Sequence, residues 1–218
     1  RAVDKGITRQ NYPFRNVYTG VEKTIKRAIS LKAIKKIRGL DLSMQSELCL
    51  ARDLFLFSFY TRGMSFIDMV YLKKSDLKNG ILSYRRRKTG QLLTIAWEKC
   101  MQEIIERHPA VEGSIYLLPI IQPGTDERRQ YKNASARINK HLRKIGEMAG
   151  LSTPLTMYVS RHSWASAAKE KKIPLSIISE GLGHDSELTT RIYLASLDTA
   201  EIDRANSLIL RALQKDNP

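Results

Sequence analysis

Cysteine is almost missing from this sequence, with Cys49 and Cys100 the only two. Neither has a CxxC partner, no two of the four histidines share the helical spacing of a metal pair, and no GxSxG serine is present. Disulfide scaffolds, common zinc motifs and nucleophile-elbow hydrolases are set aside on that basis. The thiols read as reduced packing residues of a cytoplasmic protein. Long apolar runs are missing too: the longest, around Leu54 to Tyr60, is far too short to span a membrane. The first residues, Arg1-Ala2-Val3-Asp4-Lys5, carry neither an apolar signal core nor an initiator methionine, so we expect a piece of a longer chain. There is no internal repeat and no low-complexity tract.

Acidic residues are scarce relative to basic ones, 22 against 37, which leaves a net charge of +15. A pI near 9.9 is the footprint of a protein that docks on polyphosphate. Charge sets the class of partner and leaves the activity open, because ribosomal-type, heparin-binding and membrane-surface proteins share it. Against an RNA module or a membrane-surface helix stands the lack of an aromatic β-platform and of a strongly amphipathic basic helix.

The length allows one full domain with a remnant of another. Residues 1–27 read as tail and linker, with turn chemistry at Tyr12-Pro13-Phe14 and a basic run at Lys23, Lys26 and Arg27. From Ser30, an N-cap, the spacing of Leu31, Ile34 and Ile37 predicts a short helix closed by Gly39. Ser43 to Thr61 predicts a buried core helix whose only polar face is Glu47, Arg52 and Asp53. A second helix, Ser65 to Leu72, turns Phe66, Met69, Val70 and Leu72 inward.

Ile81–Tyr84 and Leu92–Ile95 then predict a hairpin, with Gly90 supplying the turn beside Arg85-Arg86-Arg87-Lys88. Helices are expected again at Trp97–Arg107 and Asn133–Ala149, separated by a loop from Pro109 to Gly124. Pro174 suits the first turn of a further helix, and Thr199–Leu213 reads as the last one.

Chemistry concentrates between Tyr158 and Tyr193. Arg161 is followed 23 residues later by His184, and nine residues after that by Tyr193. These are the group types that can grip a phosphodiester and attack it with a side-chain oxygen. The runs Arg161-His162-Ser163-Trp164-Ala165, Leu182-Gly183-His184 and Thr189-Thr190 with Tyr193 resemble the C-terminal pattern of the tyrosine recombinases, or phage integrase family. The departures resemble those of Bacteroidetes-type members.

The resemblance spans residues 30 to 213. It implies a mainly helical, α+β catalytic domain with a small antiparallel hairpin, at residues 28–218, and makes 1–27 the end of an upstream DNA-clamping domain. It implies that Tyr193 attacks the scissile phosphate to form a 3′-phosphotyrosine, with no cofactor and no metal. Arg161 and His184 would hold the non-bridging oxygens, and Gly183 would let the backbone pass closely. Lys88 would protonate the leaving 5′-oxygen, while Arg85, Arg86, Arg87 and Lys88, together with Arg191, would bind the DNA backbone.

Two positions depart from the family pattern. Ser65 stands where the first arginine belongs, three residues before Asp68, so Arg62 is expected to act as a displaced first arginine reaching along the helix. Asp68 would buttress the site and Ser65 donate a hydrogen bond. Tyr158 stands where the family has a histidine or lysine base. Either it takes over a hydrogen bond to nucleophile or phosphate, or water serves instead.

The implied function is site-specific recombination for integration, excision or inversion. The implied partners are duplex DNA, other protomers in a synaptic tetramer and accessory DNA-bending proteins, with no membrane. A type IB topoisomerase-like enzyme shares the chemistry. A catalytically impaired architectural or regulatory DNA-binding protein of the same fold is the alternative from a different class, kept open by Ser65 and Tyr158.

Overall fold

Ser30 caps the first helix, α1 (Leu31–Arg38), by accepting the Ala33 N–H at 3.2 Å, and Gly39 closes it. The structure is a computed structural model that describes residues 4–9, 28–184 and 186–194, with Ile192 and Tyr193 described by their helix alone. Most of the expected tail at 1–27 and the expected helix Thr199–Leu213 lie outside the described residues.

Helix α2 (Ser46–Tyr60) is the centre of the fold, packing against α1 and against the later helices α4 (Lys99–Arg107), α5 (Glu127–Met148) and α6 (Met157–Glu170). It is shorter than Ser43–Thr61 because Ser43 N–H is taken by the Asp41 carboxylate, and Thr61 turns its hydroxyl back onto the Phe57 carbonyl. Its supposed polar face is also different. Arg52 and Asp53 are buried. Asp53 receives Arg52 Nε at 2.8 Å, Arg107 Nη1 at 2.6 Å and His108 Nε2 at 2.8 Å.

Burial pushes the Asp53 carboxyl up, but the hydrogen bonds from His108, Arg52 and Arg107 outweigh it and hold the group far below the usual carboxylate range. Cys49 completes a cluster of metal-ligand types with Asp53 and His108. Two guanidinium groups already occupy that carboxylate, so the cluster reads as a buried ion network.

Helix α3 (Phe66–Val70) is capped by Ser65, and Phe66, Met69, Val70 and Leu72 are buried as the pattern implied. After a 3-10 turn at Lys74–Asp76 comes a three-stranded antiparallel sheet in the order β1-β2-β3. The hairpin of β2 (Ile81–Arg85) and β3 (Leu92–Ala96) was expected, and β1 (Leu77–Lys78) is additional. Asn79 and Gly80 join β1 to β2 with φ of 51° and 73°. Two successive left-handed residues make the tight turn that matches strand twist.

Then follow α4 (Lys99–Arg107), α5 (Glu127–Met148), α6 (Met157–Glu170), α7 (Leu175–Leu182) and α8 (Glu187–Leu194). Helix α5 starts at Glu127 instead of Asn133 because Asp126 caps it, accepting the Arg129 N–H at 3.0 Å.

One large apolar core joins α1 to α5, the sheet and the start of α6. A small separate cluster of Ala165, Ile178 and Leu182 lies under α7 and α8. Both cysteine thiols are free, and burial raises their pKa, which suits packing over nucleophilic chemistry. Among the described residues no helix is long and apolar enough to cross a membrane.

Candidate functional site

Arg161 lies at the seam between the two apolar clusters. The second turn of α6 carries it, and its neighbour Ser160 is tied to α2 by donating to the Phe55 carbonyl at 3.0 Å. Its side chain is buried, with Nη1 donating to the Gly63 carbonyl at 2.9 Å and Nη2 to the Leu182 carbonyl at 2.6 Å. Nη2 also meets His184 Nε2 at 3.1 Å. A guanidinium can only donate, so Nε2 is the acceptor and His184 carries its proton on Nδ1. That nitrogen lies 2.7 Å from the Thr190 hydroxyl. The bonded chain therefore runs from α6 through the loop after α7 into α8.

Two glycines make this approach possible. Gly63 has φ of 75°, and a Cβ there would stand 2.8 Å from the Arg161 Cα. Gly183 ends α7 with φ of 64°, and a Cβ there would meet Arg86 Cδ at 2.7 Å. Both positions combine a left-handed backbone with a neighbour pressed against the chain.

The hairpin arginines divide. Arg85 and Arg87 are exposed, as is Lys88 in the turn at the tip. Arg85 donates to the Gly90 carbonyl at 3.0 Å. The Arg87 guanidinium stacks 3.6 Å above the Tyr71 ring, while its backbone N–H donates to Asp68 at 2.8 Å. Arg86 instead points inward: it is buried and donates to the Gly183 carbonyl. Two guanidiniums, those of Arg161 and Arg86, thus dock on the consecutive carbonyls of Leu182 and Gly183, next to His184. Alternation along β2 carries the signal for this, because Leu82, Tyr84 and Arg86 share the buried face.

Arg62 is not on a helix. The chain leaves α2 at Tyr60, and Arg62 has a left-handed φ of 60°, so the helical reach expected of it is replaced by a turn. Its side chain runs toward α7, its Cδ 3.7 Å from the position of a Cβ on Gly181. Ser65 donates to Asp68 Oδ2 at 2.6 Å, and Asp68 Oδ1 receives the Arg87 N–H, so Asp68 ties α3 to the residue before Lys88.

Tyr158 is half exposed and sits edge-on to His162 at 4.6 Å. Arg191 is exposed on α8. Tyr193 is in the same helix, and its side chain lies outside the described residues. Thr190, a motif residue to which the sequence assigned no role, is buried and joins His184.

Crystal structures with this arrangement of helices around a small sheet include XerA recombinase and a dimer of lambda integrase residues 75–356 bound to a COC′ core site. The first has a TM-score of 0.59 at 20% identity, covering 94% of this chain and 70% of that one. The second has 0.62 at 20%, covering 90% and 70%. The profile of the phage integrase family matches residues 45–200, and the chain belongs to that family.

Tyrosine recombinase XerA of Pyrococcus furiosus is 27% identical over 198 residues, covering 86% of this chain and 65% of that protein. Tyrosine recombinase XerC of Syntrophus aciditrophicus is 26% identical over 145 residues, covering 63% and 46%. The chain spans less than two thirds of these curated relatives.

Proposed function

We propose that residues 28–218 are the catalytic domain of a site-specific DNA recombinase that cuts and rejoins strands through Tyr193, serving integration, excision or inversion. The observation that carries this reading is the bonded chain from Arg161 to His184 to Thr190, three residues before Tyr193 on α8. It ties phosphate-gripping groups to the helix that bears the nucleophile.

The tyrosyl oxygen attacks phosphorus, the bond to the 5′-oxygen breaks, and Lys88 gives that oxygen its proton. Water receives the tyrosine proton, and Tyr158 hydrogen-bonds the nucleophile or the phosphate. Attack by a 5′-hydroxyl reverses the sequence, so bond energy is conserved and no cofactor or metal enters. Arg161 neutralises a non-bridging oxygen in the transition state. Arg62 and Arg86 are the candidates for the second cation, and burial beside His184 favours Arg86.

Arg85, Arg87 and Arg191 contact the backbone of duplex DNA. Other protomers in a synaptic tetramer and DNA-bending accessories are the remaining partners, in the cytoplasm. A lambda integrase tetramer bound to a Holliday junction is among the structural neighbours and supports this assembly.

The test is covalent trapping of the full-length protein on a duplex with a bridging phosphorothiolate at its site, beside a Tyr193→Phe control. A denaturation-resistant adduct lost in the control is expected. A second reading, a non-catalytic DNA-binding protein of the same fold, is favoured by Ser65, whose hydroxyl is spent on Asp68 and brings no charge. Tight binding to a verified site without any adduct selects that reading.

A further inference from the structure

The hairpin that carries Lys88 borders open space. Beside it, toward the end of α3, lies a groove of about 600 Å³ whose lining includes Asp68, Tyr71, Lys73, Ser83, Arg85 and Arg87. Close packing therefore does not fix the tip on that flank. Arg87 does. Its backbone N–H donates to Asp68 Oδ1 at 2.8 Å, and its guanidinium carbon lies 3.6 Å from the centre of the Tyr71 ring. The turn is closed by the Arg86 N–H on the Gln91 carbonyl at 2.9 Å and the Gly90 N–H on the Arg86 carbonyl at 2.7 Å. Lys88 is the next residue in that turn, so the place from which its side chain starts is set by where Arg87 is held.

Tyr71 is a braced platform. It ends α3, and the chain after it pairs with the loop before α5: the Leu117 N–H donates to the Leu72 carbonyl at 2.8 Å, and the Lys74 N–H to the Ile115 carbonyl at 2.9 Å. Buried Tyr116 stands edge-on to the Tyr71 ring with centroids 6.3 Å apart. The Tyr116 hydroxyl donates in turn to Glu127, in the first turn of α5, at 2.6 Å. A cation over an aromatic face is held by the ring quadrupole, and more firmly where water is partly excluded.

We propose that Tyr71 is a positioning residue for delivery of the leaving-group proton: it holds Arg87, and through Arg87 it keeps the adjoining Lys88 within reach of the departing 5′-oxygen. The proposal rests on the phosphodiester reading of the site. In cleavage the bond from phosphorus to the 5′-oxygen breaks, and that oxygen takes its proton from Lys88 Nζ. Tyr71 touches none of the reacting atoms. Its effect on the chemical step passes through that proton, so a leaving atom that needs none is indifferent to Tyr71. Sulfur in the bridging position is such an atom, because it departs as a thiolate.

The experiment measures the rate of adduct formation by the full-length protein at saturating DNA. Two nicked suicide duplexes are compared, identical except for oxygen or sulfur at the bridging 5′ position. Tyr71→Leu removes the ring face and should slow cleavage of the oxygen duplex about tenfold, the size of one such contact, while the sulfur duplex is cut at nearly the unmodified rate. Tyr71→Phe keeps the face and should keep the rate on both. Lys88→Ala supplies the reference pattern, a larger loss on oxygen that sulfur restores. Arg87→Gln combined with Tyr71→Leu should cost little more than either alone, because both break one contact.

Equal losses on the two duplexes would overturn the proposal and leave Tyr71 a support of the fold alone. Additive losses in the double variant would overturn it as well, as would a Lys88→Ala protein that sulfur does not restore. If the unmodified protein forms no adduct on either duplex, the phosphotyrosine reading itself fails and the proposal falls with it.

Discussion

Phe57 and Ile178 are almost equally buried, yet they belong to different kinds of layer. Phe57 sits in the large core, edge-on to Trp97 at 6.0 Å and surrounded by side chains from several helices. Among the described residues, Ile178 shares its buried cluster with Ala165 and Leu182, bordered by Trp164, Ala168 and Leu194. The large core holds the floor that carries Arg161 and the hairpin. The small one holds α7 and α8, whose connecting loop carries His184 and whose second member carries Tyr193.

Among the described residues this cluster is small, and polar anchors join it to the rest: Arg161 on Leu182, Arg86 on Gly183 and His184 on Thr190. A layer of this kind opens locally at less free energy than the whole domain unfolds.

The contrast breaks first at the floor. Asp53→Ala leaves the buried guanidinium of Arg52 without its counter-ion, and Arg107 and His108 without their shared acceptor, and should lower unfolding stability by about 3–5 kcal/mol in urea titration. The sign with pH follows from the depressed carboxyl of Asp53. Its stabilisation is present above the unfolded value of about 4 and fades as pH falls below it toward the folded value. Asp53→Asn should therefore show a flatter acid limb than the unmodified protein.

At the seam, Gly63→Ala pushes a methyl group against the Arg161 backbone, with a cost of about 1–3 kcal/mol. It should lose adduct formation while far-ultraviolet circular dichroism stays helical.

Within the small layer, Ile178→Ala should cost about 2 kcal/mol or somewhat more. Hydrogen exchange is expected to speed up in α7 and α8 and to stay unchanged in α2. The smallest effect is that of Thr190→Val, about 1 kcal/mol, confined to exchange in α8 and to adduct yield. Uniform acceleration across the domain in either variant would show the two layers to be one cooperative unit.

Elements built on local signals were legible in the sequence. Ser30 and Gly39 bracket α1, the apolar run of α2 marks the core, and Gly90 turns the hairpin. What the sequence hid depends on partners distant along the chain. Arg52 and Asp53 read as the polar face of a core helix because nothing local announces that Arg107 and His108 will arrive from α4 and its end.

Asn79-Gly80 and Asp126 were local signals that went unread, so β1 and the first turns of α5 were missed. In the site, the grouping of Arg161 with His184 follows the motif. The inward turn of Arg86 required reading the alternation of β2 one residue further. Arg62 was expected to reach along a helical face, and the left-handed pair Arg62 and Gly63, packed against Arg161, replaces that reach with a turn.

The carbonyls of Gly63 and Leu182 have a consequence for the timing of entropy loss. A free arginine side chain carries about 2 kcal/mol of rotamer freedom, which a ligand must usually remove when it binds. Here both terminal nitrogens of Arg161 are already held by main-chain oxygens. That freedom is surrendered when the chain folds, and an incoming anion meets a fork whose orientation is set before the encounter.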